Sequence, residues 1–229
     1  VLAGLIYLIP KVITVVRLKR AADSYVAASA VSTFKDSMTT IIYDTNGQEL
    51  CTMKNTKDMY YVSYQEIPAT LVNSFVVMED RQFYKHSGYD IKAILRAIVI
   101  NQKSNDIAQG ASTITQQLAR NIFLSQEVTW QRKVEEIFIA VGLEKKYSKN
   151  QILEFYLNNI YFGNGYYGVE AAARGYFDKS VSELTLAEQT FIAAIPNNPT
   201  RYNPLTNYDN TVQRKNLILQ QLYEADDIG

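Results

Sequence analysis

Three stretches of this chain put polar chemistry where an ordinary helix would not. In the first, PATLVNSFVVMEDRQFYKHSGYD (68–90), Val72, Phe75, Val76 and Glu79 share one i, i+3, i+4, i+7 helical stripe, so a carboxylate occupies a place that the pattern reserves for an apolar side chain. Burial against Phe75, Val76 and Met78 is expected to raise the Glu79 pKa and make it a stronger base than a surface glutamate. The competing reading is a helix that surfaces at Glu79-Asp80-Arg81 as a solvated end. In the second stretch, QGASTITQQLARN (109–121), a helix capped by Thr113 sets Gln117, Arg120 and Asn121 on one face and Ile114, Leu118 and Ile122 on the other. Amides and a guanidinium suit phosphate or sugar oxygens, and the helix N-terminus behind Ser112 and Thr113 adds free backbone donors for an anion. The dull alternative is a solvated face. In the third, WQRKVEEIFIAVGLEKKY (130–147), the stripe Val134, Ile137, Phe138, Val141 is expected to pack inward and turn Arg132, Lys133 and Glu136 the other way. That grouping suits a pyrophosphate or a divalent cation beside Glu136, although a plain surface ion pair accounts for the same spacing.

Composition narrows what those residues can do. One histidine, His86, excludes a His-rich metal site, and one cysteine, Cys51, excludes an internal disulfide. The 23 basic and 23 acidic residues cancel, against a protein that holds nucleic acid by net charge. With 229 residues, 47% hydrophobic and 20% charged, the chain is long and apolar enough for a real core, and no low-complexity tract interrupts it.

The elements that must position these groups are mostly helical. Residues 1–20 open with VLAGLIYLIPKVITVV and a basic flank of Arg17, Lys19 and Arg20, and read as a membrane anchor, short of the about 20 apolar residues that a span needs. That basic flank by itself would set the following domain in the cytoplasm. A linker and hairpin region covers 21–66: TTIIYD and QELCTM flank Thr45-Asn46-Gly47, with Asn-Gly supplying positive φ angles, and YYVSY near residue 62 offers a third strand. From 67 to 229 the pattern is helical. Capping boxes mark three starts, Thr113 with Gln116, Ser148 with Gln151 and Thr185 with Glu188. Leu153, Tyr156, Leu157 and Ile160 form a core stripe, and a loop with Pro196, Pro199 and Pro204 separates the last two helices. Gly163-Asn-Gly165-Tyr-Tyr-Gly168 satisfies a dinucleotide fingerprint by letter, but it follows a helix rather than a strand, so it reads as a tight turn beside aromatic residues able to stack on sugar rings.

Taken together, EDRQFYKHSG (79–88), GASTITQQLARN (110–121), RKVEE (132–136) and KNQILEFYLNNIYFGNGYYG (149–168), in this order and spacing, resemble the peptidoglycan glycosyltransferases of glycosyltransferase family 51 over about residues 60–220. PNNPTRYNP and the following helix with Arg214 and Asn216 resemble the transglycosylase part of class A bifunctional penicillin-binding proteins more than a monofunctional enzyme. The resemblance implies a mainly α, lysozyme-like domain with head and jaw lobes, a small β-hairpin region and an N-terminal membrane helix. It implies polymerisation of lipid II into β-1,4-linked glycan strands, with inversion and release of undecaprenyl pyrophosphate, by a single-pass protein of the bacterial cytoplasmic membrane. The catalytic domain then lies outside, reversing the charge rule.

By motif position, Glu79 is the base for the acceptor 4-hydroxyl, and Asp80, Phe83 and His86 support it. Glu136 is the second glutamate, assisting the departing pyrophosphate directly or through a divalent metal such as Mg or Mn, with no organic cofactor. Arg120, Arg132 and Lys133 match pyrophosphate contacts, while Ser112, Thr113, Gln116, Gln117 and Asn121 line the cleft. The implied partners are lipid II, the growing strand, the membrane and other cell-wall synthesis proteins, and no nucleic acid. Two positions depart from the pattern: Ala111 replaces a frequent glycine, and Arg120 a frequent lysine. The rival readings are a lytic transglycosylase or lysozyme-type enzyme that cleaves glycan, and a non-catalytic glycan-binding scaffold.

Overall fold

The computed structural model describes residues 2–35, 38–53, 57–95, 112–125 and 127–229. Gly110 and Ala111, singled out above, lie outside them. The described chain is mainly helical: α1 Leu2–Ala28, α2 Ala69–Glu79, α3 Ile114–Phe123, α4 Trp130–Lys146, α5 Lys149–Asn159, α6 Val169–Phe177, α7 Leu186–Ala193 and α8 Tyr208–Glu224. Four short strands accompany them, β1 Thr40–Tyr43, β2 Glu49–Met53, β3 Asp58–Met59 and β4 Tyr166–Tyr167. Two compact units form, Val1–Ala30 with Gln82–Ile152, and Val31–Arg81 with Leu153–Gly229.

In the first unit α4 is packed by α1 and α3. The C-terminal end of α1 is held by Lys146, whose ammonium donates to the carbonyls of Val26 (2.7 Å), Ala27 (3.1 Å) and Ser29 (2.6 Å), groups that a helix end otherwise leaves without partners. Ser29 also bonds the Tyr147 hydroxyl at 3.0 Å. The expected anchor over 1–20 is thus the beginning of a 27-residue helix that runs through Pro10. Among the described residues no helix is long and apolar enough to cross a membrane.

The buried face of α4 differs from the expected one. Glu136, Ile139, Ala140 and Leu143 are buried, whereas Val134, Ile137, Phe138 and Val141 are only half-buried. The apolar stripe misleads because the carboxylate on the opposite side is neutralised by its own neighbours and so tolerates burial.

In the second unit the core gathers around α5. Leu153, Tyr156, Leu157 and Ile160 are buried, as their spacing requires. Phe34 stacks on Phe155 at 4.0 Å between centroids, and Phe75 of α2 meets Tyr156 and Phe162 edge-on. Helix α2 lies against α7 and α8. β1 and β2 form the expected antiparallel hairpin. Its turn is organised by Asp44, whose carboxylate accepts the amides of Asn46 and Gln48 at 2.8 Å each, and Gly47 alone of the Asn-Gly pair takes positive φ, at 79°. Those backbone donors, Gln48 first, hold the Asp44 carboxyl below its usual range.

Among the described residues no third strand joins that hairpin. β3 lies at Asp58–Met59, just before YYVSY, and pairs in parallel with β4. The extended segment after it is satisfied by side chains of α5: Asn158 accepts from the Val62 amide and donates to the Val62 carbonyl, both at 2.9 Å, and Glu154 accepts from the Tyr64 amide at 2.9 Å. A buried side-chain amide thereby replaces a strand neighbour. Glu154 also accepts from the Tyr61 hydroxyl at 2.7 Å, and burial first, the carboxylate second, pushes that phenol above its ordinary range.

The glycine run after α5 is a tight return, with Gly163, Asn164, Gly165 and Gly168 all at positive φ. Gly168 (φ 83°) donates to Ile160 at 2.9 Å, and a Cβ there would meet the Asn158 carbonyl oxygen at 2.6 Å. Gly168→Ala is expected to cost about 2 kcal/mol or more, combining left-handed strain with a backbone clash. At Gly47, where a Cβ meets nothing within 4 Å, the same change is expected to cost about 1 kcal/mol, from strain alone. Urea unfolding of the two variants checks this, and equal losses would contradict it.

Candidate active site

Helix α3 starts at Thr113, whose Oγ1 accepts from the Gln116 amide (3.2 Å) while Gln116 Oε1 accepts from the Thr113 amide (2.9 Å). This is the capping box that its residue types call for. Gln116 is fully buried, and its Nε2 has no hydrogen-bond partner. Ile114, Leu118 and Ala119 are buried beside it, Gln117 and Arg120 are half-buried and Asn121 is exposed, so the amphipathic split of the helix follows the expected faces.

Ser112, immediately before the cap, accepts from Lys133 Nζ at 2.8 Å. Lys133 belongs to the first turn of α4, which starts at Thr129, whose hydroxyl accepts from the Arg132 amide at 3.1 Å. The same turn folds both cations onto Glu136. Arg132 Nη1 donates to Oε2 at 3.1 Å, and Lys133 Nζ donates to Oε1. The Glu136 side chain has no exposed surface, while those of Arg132 and Lys133 are 13% and 39% exposed. This is a buried triad rather than a surface ion pair. Two positive charges against one negative leave a surplus positive charge, carried on side chains that retain contact with solvent, and Arg132 Nε has no partner of its own. Such a surplus beside the first turn of a helix suits a polyanion.

Magnesium and manganese require several oxygen ligands. Both Glu136 oxygens already face cations, and among the described residues no three His, Cys, Asp or Glu converge on a common point. As arranged, the triad does not fit a divalent ion.

Phe83 and His86 lie in the segment leading to a helical stretch at 91–95, which Asp90 caps by accepting from the amides of Lys92 (2.8 Å) and Ala93 (3.1 Å). Phe83 is fully buried beneath the Lys149 ammonium, 4.3 Å above its ring. Thr113 Oγ1 donates to the Gly88 carbonyl at 2.8 Å, tying this segment to the cap of α3.

Glu79 and Asp80 belong to the second unit. Glu79 ends α2, with its side chain 17% exposed, and Asp80 is the buried C-cap, donating its amide to Val76 at 3.0 Å. The surroundings of Glu79 are not only apolar. Arg214 of α8 brings Nη2 to 3.5 Å from Oε1, and its guanidinium lies over Tyr202, 5.1 Å from the ring centroid. In the sequence Arg214 stands out only as part of a family pattern. Its pairing with Glu79 spans 135 positions, beyond any helical or strand period.

The transglycosylase family model matches residues 46–223. Penicillin-binding protein 4 of Bacillus subtilis is 50% identical over 164 residues, covering 72% of this chain and 26% of that protein. Penicillin-binding protein 1A of Aquifex aeolicus is 46% identical over 183 residues, 80% of this chain and 25% of that protein. Penicillin-binding protein 1A of Escherichia coli is 44% identical over 197 residues, 85% and 23%. The chain thus spans about a quarter of the length of the curated relatives it matches. With the family matched across most of its length, glutamates and capping residues included, the chain belongs to the transglycosylase family.

Proposed function

We propose that this chain is the peptidoglycan glycosyltransferase domain of a class A penicillin-binding protein, polymerising lipid II outside the bacterial cytoplasmic membrane. The observation that carries the reading is the buried Glu136 held between Arg132 and Lys133, with Lys133 also reaching Ser112 at the N-terminal end of α3. A departing pyrophosphate needs charge neutralisation rather than a strong acid, and this cluster offers a net positive charge whose cations cannot drift, because a carboxylate without exposed surface holds them. Preorganised charge of this kind costs no rearrangement as the bond breaks.

Glu79 is the base. Its carboxylate takes the proton of the acceptor sugar's 4-hydroxyl, and that oxygen bonds to C1 of the donor. The bond between C1 and the pyrophosphate oxygen breaks on the opposite side, and undecaprenyl pyrophosphate leaves with the electron pair. Arg214, resting on Tyr202, stands as a permanent positive charge at the Glu79 carboxylate. Two glutamates in unlike surroundings thus do unlike work. The lipid-linked substrate also suits α1, where Ile9, Val12, Ile13 and Val16 are exposed apolar residues available to a bilayer.

Labelled lipid II supplied with the chain in detergent is expected to yield long strands. Glu79→Gln is expected to abolish them, and Glu136→Gln to slow turnover roughly tenfold or more. Shortening of purified peptidoglycan instead would favour the lytic enzyme, and binding of lipid II without turnover would favour the scaffold. Undiminished synthesis by Glu79→Gln would refute the assignment of the base.

A further inference from the structure

Glu144 sits eight residues beyond Glu136 on α4, about 12 Å along the axis at 1.5 Å per residue, so it belongs to a different neighbourhood from the cationic triad. Its side chain is only 5% exposed, yet it is fully engaged. Thr115 of α3 donates to Oε1 at 2.6 Å, and Lys149, the first residue of α5, approaches Oε1 at 2.8 Å and Oε2 at 2.7 Å. Lys149 has a second task, donating to the His86 backbone carbonyl at 2.8 Å. His86 Nδ1, 3.9 Å from Glu144, accepts the Gly88 amide at 3.1 Å, and the Gly88 carbonyl accepts Thr113 at the cap of α3. The contacts close a ring from Glu144 through Lys149, His86, Gly88 and Thr113 to Thr115 and back.

We propose that Glu144 and Lys149 are positioning residues, fixing the first turn of α3 and the His86 segment against α4 so that Ser112 and Lys133 keep the geometry that the departing diphosphate needs. The inference rests on the glycosyltransferase reading above. A buried ion pair is weak as a source of stability, because apolar residues of similar volume commonly replace it at no loss. What such residues cannot reproduce is the ring's direction. Among the described residues Lys149 joins Glu144 to the His86 carbonyl, and Thr115 joins Glu144 to α3, whose cap Thr113 directly follows the Ser112 that receives Lys133. Displacement by about 1 Å at a reacting centre is enough to cost orders of magnitude in rate.

The test is the apolar exchange Glu144→Leu with Lys149→Met in the full chain, measured for thermal midpoint and for polymerisation of lipid II. The expected result is a midpoint within about 4 °C of wild type, with kcat reduced roughly tenfold or more and KM changed far less. Wild-type kcat in the folded double variant would overturn the proposal. Should the exchange fail to fold, Thr115 decides. Thr115→Ser keeps the hydroxyl and is expected to retain wild-type turnover. Thr115→Val removes it without a change of shape and is expected to lower kcat several-fold at an unchanged midpoint, so equal rates for Val and wild type would overturn the proposal. A wild-type chain that makes no strands in the same assay refutes the glycosyltransferase reading instead.

Discussion

A carboxylate with no exposed surface has to be neutralised by the protein around it, and in this chain Glu136 meets that demand with two cations from its own helix. Coulomb attraction in a poorly solvated place strengthens each contact, while the desolvation of three charged groups opposes it, so the triad is not chiefly a source of stability. It creates a place of fixed, surplus positive charge. Two helix caps in the first unit bear on keeping it there. Thr129 caps α4 so that Arg132 and Lys133 fall in its first turn, and the capping box at Thr113 starts α3 right after the serine that Lys133 reaches.

In the proposed glycosyl transfer, with Glu79 as the base, the second unit answers a different requirement. A base must accept a proton yet remain a carboxylate before the reaction begins. Glu79 stands at the end of a helix whose other stripe residues are buried, and an arginine from α8 approaches it. That arginine is itself steadied by the tyrosine beneath its guanidinium, a planar contact that lysine would not reproduce. Where Glu136 is enclosed and doubly paired, Glu79 keeps part of its surface exposed, which suits a group that must meet a sugar hydroxyl.

Local rules were legible in the sequence, and long-range ones were not. All three capping boxes form, at Thr113, Ser148 and Thr185, because a cap depends on residues three apart and on little else. The hairpin, the stripe on α5 and the glycine return follow for the same reason. Hydrophobic periodicity gives the wrong buried face for α4 because it takes no account of a carboxylate that carries its own counter-charges. YYVSY has the composition of a strand, but the hydrogen-bond partner of its Val62 is the side chain of Asn158, nearly a hundred residues away, rather than another backbone. Arg214 at Glu79, and Lys149 at His86, are contacts that only the folded chain creates.

The most direct measurement of the central claim is the affinity of the chain for a soluble prenyl diphosphate, titrated calorimetrically at two salt concentrations, for wild type and for Lys133→Met. If the triad is a preorganised diphosphate site, the wild type binds with an affinity that falls as salt rises, and the variant binds roughly tenfold more weakly or worse. Equal affinity in both proteins, insensitive to salt, would mean that the buried glutamate and its two cations hold the helix together and nothing more.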